Sequence, residues 1–301
     1  MSLTDGIINV YKEKGYTSHD VVAKMRGILK MKKIGHTGTL DPDAEGVLPV
    51  CIGRGTKLVD LITDKDKTYK AVCRLGITTD TQDISGKVLQ TSEANVTDKQ
   101  LKEAVKSYIG EYLQLPPMYS AIKVDGKKLY ELARQGIEIE RERRRVVIYD
   151  ILIEEFREEE QEFTVTVKCG KGTYIRTLLH DIGETLGCGA TMVQLLRTAV
   201  GSFVVEKALR LSEIEALVQE DKLSGYLVTV DEVFHNLPKI TLKQEHDKLI
   251  HNGNPFLPEQ VIEVSDLTGE QTRVYDSEDN FVGIYEYNQV KEVYWPVKMF
   301  L

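Results

Sequence analysis

The chain has 301 residues, 42% of them hydrophobic and 29% charged, enough for one large domain or one with a small companion. Lys and Arg number 39 against 47 Asp and Glu, a net charge of −8. This argues against a uniformly basic nucleic-acid binder but leaves room for a local basic surface. No eighteen-residue apolar run suggests a membrane span, and Met1 to Gly6 has no basic-then-apolar leader. Cys51, Cys73, Cys169 and Cys188 form no CxxC pair, and the histidines form no HxxxH, so no zinc site or redox pair is expected. Such cysteines read as core residues in a reducing compartment, hence a cytoplasmic location.

In chain order, Ile7 to Tyr11 reads as a short strand. Thr17 or Ser18 can cap a helix through about Leu29, with Val21, Val22, Met25, Ile28 and Leu29 on one face. Lys33 to Gly46 is rich in Gly and Thr and reads as a loop, and Val47 to Ile52 as a buried strand. Tyr69, Ala71, Cys73 and Leu75 alternate with more polar neighbours, the pattern of a half-buried strand. Thr97 with Gln100 forms a capping-box pattern for a helix through Ile109. A short helix from Leu129 to Gln135 stops at Gly136. Strand patterns follow at Val146–Glu155 and Phe163–Cys169, then a helix from Tyr174 to Leu186, and Leu195 in an apolar run of helical type. After about Asn236 the segments shorten and turn residues punctuate strand-like runs such as Phe281–Tyr287 and Val290–Val297. The expected class is mixed α/β, of the α+β kind, with much antiparallel sheet and a small β-rich C-terminal domain.

Charge is uneven along the chain. Residues 24–57 hold seven Lys/Arg against three acids, and residues 141–145 read Arg-Glu-Arg-Arg-Arg. Six of the nine residues from Glu154 to Glu162 are Glu.

The stretch Gly35-His36-Thr37-Gly38-Thr39-Leu40-Asp41-Pro42-Asp43-Ala44-Glu45-Gly46 has the densest set of reactive groups. A phosphate-cradling loop is not supported, because the Gly-Lys-Ser/Thr ending is absent. A calcium loop is not supported either, because Ile52 stands where the closing Glu belongs and Pro42 lies inside. On the residues alone, a plain turn with Asp41 as a cap competes with a reactive carboxylate.

This stretch resembles the signature loop of the TruB family of tRNA pseudouridine synthases. Lys67-Thr68-Tyr69-Lys70 resembles that family's second motif, Gly172 to Leu178 its third, and Leu195-Leu196-Arg197 its fourth. Gln114 to Lys123, continued by Gly126, Tyr130, Ala133-Arg134 and Gly136, resembles a segment of its bacterial members. The resemblance spans roughly residues 5 to 205, and the tail, through Leu249 to Gly253, resembles the RNA-binding PUA domain. It implies a pseudouridine-synthase fold: a large, mostly antiparallel sheet flanked by helices in a catalytic domain over 1–236, and a PUA-like domain over 237–301.

The resemblance also implies the chemistry. Uridine 55 in the T-loop of tRNA would be isomerised to pseudouridine, with Asp41 as nucleophile and Arg176 as the cation that holds it ionised. No cofactor or metal is expected, since nothing is oxidised or hydrolysed. The base, flipped out of the RNA, would stack on Tyr69 and meet Tyr174 and Leu195, while His36 enters the space it vacates. Lys33, Arg144 and Arg145, with Lys30, Lys32, Arg141 and Arg143, are the candidates for phosphate contacts. The bacterial-type segment implies a free-standing monomer that binds the tRNA T-stem-loop without an obligate protein partner. The rival readings are a guide-dependent synthase subunit and a non-catalytic tRNA-binding or tRNA-folding protein on the same scaffold.

Overall fold

The structure, a computed structural model, describes residues 5–124, 126–262 and 271–301. The leader reading therefore falls largely outside the described residues, which begin at Asp5. In chain order the main elements are β1 (Gly6–Lys12), α1 (Ser18–Leu29), β2 (Ile34–His36), β3 (Glu45–Ile52), β4 (Lys67–Leu75), α2 (Asp98–Lys106), β5 (Gly110–Gln114), β6 (Arg144–Arg157), β7 (Glu162–Cys169), α3 (Ile175–Thr185), β8 (Ala190–Val200), β9 (Phe203–Val204), α4 (Leu211–Gln219) and β10 (Leu227–Val228). A second sheet follows, built from β11 (Lys239–Thr241), β12 (Gln271–Tyr275), β13 (Phe281–Asn288) and β14 (Val293–Met299).

Both capping patterns form. Thr17 accepts from the Asp20 amide while Asp20 accepts from the Thr17 amide, and Thr97 and Gln100 do the same at α2. Gly187 and Gly136 take left-handed φ values of 76° and 72° just beyond their helices, where a side chain would be strained.

Two expectations need correction. The stretch from Lys33 to Gly46 is not all loop: residues 34–36 pair with Cys51, Ile52 and Val50 as the short strand β2. Leu195 does not lie in a helical run. It sits in the eleven-residue strand β8, opposite Ala71 of β4. An apolar run of this kind is compatible with either state, and here pairing with β4 decides it.

The first sheet has ten strands in the order β10-β1-β3-β8-β4-β7-β6-β5, with β2 added to β3 and β9 to β8. Its pairings are antiparallel except between β3 and β8, where Glu45 and Gly46 lie beside Leu196 and Arg197. Gly46 is required at that crossing. It has φ +105°, and a Cβ there would stand 2.3 Å from the Arg197 carbonyl oxygen.

One face of this sheet is covered in two halves. Over β1 and β3, α1 and α4 bury Val21, Val22, Met25 and Ile214 against Ile8, Leu48 and Val50. Over β4 and β7, α2 and α3 bury Leu101, Val105, Leu178 and Ile182 against Ala71, Cys73 and Val165. The loop carrying Asp41 lies between the halves. Leu40 and Ala44 pack into the second cluster, and Ser18 of α1 accepts from the Leu40 amide at 2.9 Å. On the reverse face of β4 and β7 the acidic run is locally balanced, Glu154 by Lys70 at 2.5 Å and Glu162 by Arg74 at 2.8 Å.

The second sheet has its own core of Ile240, Leu242, Ile250, Phe256, Val274, Tyr285 and Tyr294. It is also pinned to the first, because Ile284 and Phe300 join a cluster with Val47, Leu58, Ile62 and Phe203. Lys57 donates to the carbonyls of Met299 and Leu301, each at 3.1 Å. Phe300 is 2% exposed, so Phe300→Ala is expected to cost about 3–5 kcal/mol of docking stability. The single Trp, Trp295, sits on β14 and reports the transition by fluorescence in a denaturant titration. A midpoint equal to that of the unaltered protein would refute the pinning role.

Candidate active site

Asp41 stands in a turn, its carbonyl accepting from the Ala44 amide at 3.1 Å. That turn is fastened from beneath by Lys12, the last residue of β1. Lys12 is fully buried and donates to the carbonyls of Glu13, Pro42 and Ala44 at 3.2, 3.0 and 2.6 Å. Burial pushes its amine down to about 8, against the pull of Asp41, Glu45 and Asp43. Thr37 adds a second fastening, its amide and hydroxyl both reaching the Pro49 carbonyl.

Arg176 is the second residue of α3 and is almost wholly buried. Its Nη2 reaches Asp41 Oδ1 and Oδ2, both at 3.3 Å, and also donates to the Tyr119 carbonyl. Its Nη1 donates to the Thr81 carbonyl at 3.3 Å and lies 3.7 Å from Asp83 Oδ2. The guanidinium is therefore divided between two carboxylates instead of meeting one as a two-pronged fork. Asp83 is oriented by Thr81 Oγ1 at 2.8 Å and by the Ser85 amide at 3.0 Å. Gly86 closes that loop, where a Cβ would stand 2.2 Å from Thr81 Oγ1.

The electrostatics of Asp41 follow. Its side chain is 37% exposed, enough for a ligand to reach, with protein around the remainder. Burial raises its pKa, Arg176 and Lys12 pull it back, and Asp83 and Asp43 oppose them. The result is a carboxylate that ionises less readily than a free one and is correspondingly reactive once ionised. The same shift has a stability sign. Between the ordinary carboxylate pKa and the raised one the unfolded chain ionises first, so this group costs stability as pH rises through that window.

Around this pair stand aromatic and apolar groups. Tyr69 of β4 is 8% exposed and shares a core cluster with Leu40 and Ala44, with Leu195 packed against it. Tyr174 precedes α3, its backbone amide and carbonyl both held by the Gln114 side chain at 2.8 and 2.9 Å. His36 ends β2, and its ring meets that of His19 edge-on with centroids 5.1 Å apart. His36 Nδ1 accepts from the Gly38 amide, and burial, helped by His19 and Arg197, pushes its pKa down to about 4. The ring is therefore neutral at neutral pH.

A family profile described as the TruB family pseudouridylate synthase N-terminal domain matches residues 26–175, and one described as the tRNA pseudouridylate synthase B C-terminal domain matches residues 176–235. A protein of Lachnoclostridium phytofermentans named tRNA pseudouridine synthase B is 55% identical over 99% of this chain and 100% of its own length. The chain belongs to the TruB family of pseudouridylate synthases.

Two further relatives named tRNA pseudouridine synthase B agree. That of Alkaliphilus oremlandii is 48% identical over 93% of this chain and 92% of its own, and that of Clostridium novyi 45% identical over 93% and 94%. Among solved structures, a Cbf5-Nop10-Gar1 complex superimposes with a TM-score of 0.72 at 26% identity, covering 100% of this chain and 86% of that one. The TruB-family chain is thus a pseudouridine synthase, an isomerase.

Within this TruB-family site the structure gathers Asp41, Arg176, Tyr69, Tyr174, Leu195 and His36 around one loop. Of the basic residues it brings only Arg144 to the same face. Lys33 is exposed near β2. Arg144 and Arg145 are consecutive in β6 and point to opposite faces. Arg144 shares the site's face with buried Val146 and Ile148, whereas Arg145 pairs with Glu111 at 3.1 Å. Arg141 and Arg143 donate to the Pro116 and Leu113 carbonyls, both at 3.0 Å. Sequence reasoning missed Lys12, Asp83 and Gln114. For Asp83 a signal existed in the Thr/Asp-rich run from Thr78 to Gly86, and Gln114 opens the bacterial-type segment without any sign of its role in holding Tyr174; Lys12 carries no local mark.

Proposed function

We propose that this chain isomerises uridine 55 in the T-loop of tRNA to pseudouridine, with Asp41 as nucleophile and Arg176 as its counter-ion. The observation that carries this is the meeting of those two side chains, 135 residues apart in sequence, beside a buried tyrosine. Relatives that align over nearly their full length bear the name tRNA pseudouridine synthase B, which supports tRNA as the substrate.

In this reading the uridine leaves its stack at a cost of a few kcal/mol, and stacking on Tyr69 returns about 1–3 kcal/mol. Tyr174 and Leu195 form the remaining walls, and neutral His36 fills the gap in the RNA without adding a charge. The N1–C1′ bond breaks, the uracil turns, and C5 joins C1′. The C5 proton is lost to solvent and N1 gains one, so atoms balance without an oxidant or a cofactor. Lys33 and Arg144 contact phosphates, residues 1–236 form the catalytic domain, and 237–301 form a PUA-like RNA-binding domain. The chain acts as a free-standing cytoplasmic monomer.

The test is tritium release from an unmodified tRNA transcript labelled at C5 of its uridines, with purified protein and EDTA. One equivalent released per tRNA is expected, and none would refute the reading. A purely RNA-folding protein would also release none. Placement of the arginines gives a further expectation. Arg144→Glu should weaken tRNA binding roughly tenfold and flatten its salt dependence, and Arg145→Glu should change it by less than about threefold. Filter binding at several salt concentrations checks this, and equal effects would remove the distinction.

A further inference from the structure

Arg197 stands apart from every other arginine of the chain. It lies in the middle of β8 and is 1% exposed, among the largest fully buried side chains. Its Nε donates to the Val47 carbonyl at 2.7 Å and its Nη2 to the Gly38 carbonyl at 3.3 Å. Among the described residues no carboxylate forms an ion pair with it. A buried charge without a counter-ion costs several kcal/mol, so a chain that keeps one obtains something in return.

The position indicates what is obtained. In the β8–β4 ladder Arg197 stands directly opposite Tyr69, and in the β8–β3 ladder it stands beside Gly46. Side chains facing one another across a ladder lie within contact distance. The register of β8 shifts between Arg197 and Ala199, so Thr198 is an extra residue, a local bulge whose hydroxyl donates to the Thr68 carbonyl at 3.2 Å. A bulge re-aims the side chains around it and is common beside active sites. The guanidinium thus ties the Gly38 end of the Asp41 loop to the start of β3, and it does so directly across the ladder from Tyr69.

We propose that Arg197 is a positioning residue for the isomerisation, which fixes the Tyr69 ring against the Asp41 loop and supplies a permanent positive charge behind the base. The inference rests on the proposed role of Tyr69 as the surface on which the base stacks. It does not depend on the order of steps. If C1′ is attacked, or if a glycal forms, the N1–C1′ electron pair leaves with the uracil. If the base is attacked, the pair of a ring double bond moves onto a carbonyl oxygen. In every case negative charge gathers on the base, and a buried, pre-aimed cation stabilises it more than it stabilises neutral uridine. The neighbours respond to the same charge. Burial raises the Tyr69 phenol and Arg197 pulls it back, while Arg197 helps to depress His36, Lys12 and Lys67.

A double-mutant cycle in single turnover tests this, using Arg197→Lys, Tyr69→Phe and the pair, with C5-tritiated tRNA and enzyme in excess. An ammonium cannot hold both carbonyl partners of a planar guanidinium while facing the phenol across the ladder, so Arg197→Lys is expected to slow tritium release about 100-fold while tRNA affinity changes less than about threefold. In the Tyr69→Phe background the same replacement should cost only about tenfold, leaving the pair no slower than Arg197→Lys alone, because the coupling to the phenol is already gone. Wild-type rates for Arg197→Lys, or two effects that simply multiply, would overturn the proposal. If Arg197→Lys does not fold, Tyr69→Phe alone still decides, since it keeps the ring and the buried arginine. It should slow release roughly tenfold with unchanged affinity, and a wild-type rate would overturn the proposal. Failure of the proposed function shows elsewhere, as activity surviving in Asp41→Asn.

Discussion

Replacing Asp41 by Asn is expected to lower tritium release by about four orders of magnitude or more while leaving tRNA binding within a few-fold of wild type. Asn nearly matches Asp in shape and can still accept from Arg176 through its amide oxygen, so the loop held by Lys12 should keep its form. What is lost is the ionised oxygen that attacks, and losses of this size are usual when a nucleophile is removed from a concerted unit. Burial makes the wild-type carboxylate costly in its charged form, so removing the charge should raise thermal stability slightly. A stable, tRNA-binding and still active Asp41→Asn protein would end the case for Asp41 as nucleophile.

The second large effect concerns pH. As the proposed nucleophile Asp41 must be ionised, so activity is expected above its pKa and should fade as pH falls through it. Burial places that pKa above the ordinary carboxylate value, with Arg176 the strongest force holding it down. In Arg176→Met that force is gone, and Asp83 remains beside Asp41 as a like charge. The acid limb of the kcat/KM profile should therefore move to higher pH, and the rate at neutral pH should fall about 100-fold to 1,000-fold. Two carboxylates left without their buried cation should also cost about 3–5 kcal/mol of stability, so folding must be verified by circular dichroism at each pH. Asp83→Asn is the informative partner, because it removes a charge that raises the Asp41 pKa and should move the limb the other way. If both variants keep the wild-type acid limb, the titrating group is not Asp41.

The two carboxylates on one guanidinium explain why the contact is not a simple fork. A bidentate pair would hold Asp41 firmly charged and weakly nucleophilic. Dividing Arg176 between Asp41 and Asp83 leaves each partly compensated, which keeps Asp41 ionisable yet reactive.

Sequence alone determined whatever depends on residues close together in the chain. Thr17 with Asp20 and Thr97 with Gln100 specify their helix starts through reciprocal hydrogen bonds within four residues. The alternation from Tyr69 to Leu75 marks a half-buried strand because successive side chains point to opposite faces. The motif from Gly35 to Pro42 was distinctive enough to indicate the family and to single out Asp41 as the candidate nucleophile. Tertiary structure decided whatever depends on a distant partner. Ala190–Val200 is a strand because β4 is there to pair with it, and its Leu and Ala residues favour no single answer. Arg144 and Arg145 look like one basic patch until β6 turns them to opposite faces. Lys12 reads as an ordinary surface lysine, yet it is buried because three carbonyls from its own turn and the Asp41 loop surround its amine. Asp83 and Arg197 gain their meaning in the same way. The field at a buried charge is set by whichever groups the fold brings within a few ångströms, and chain order does not record that distance.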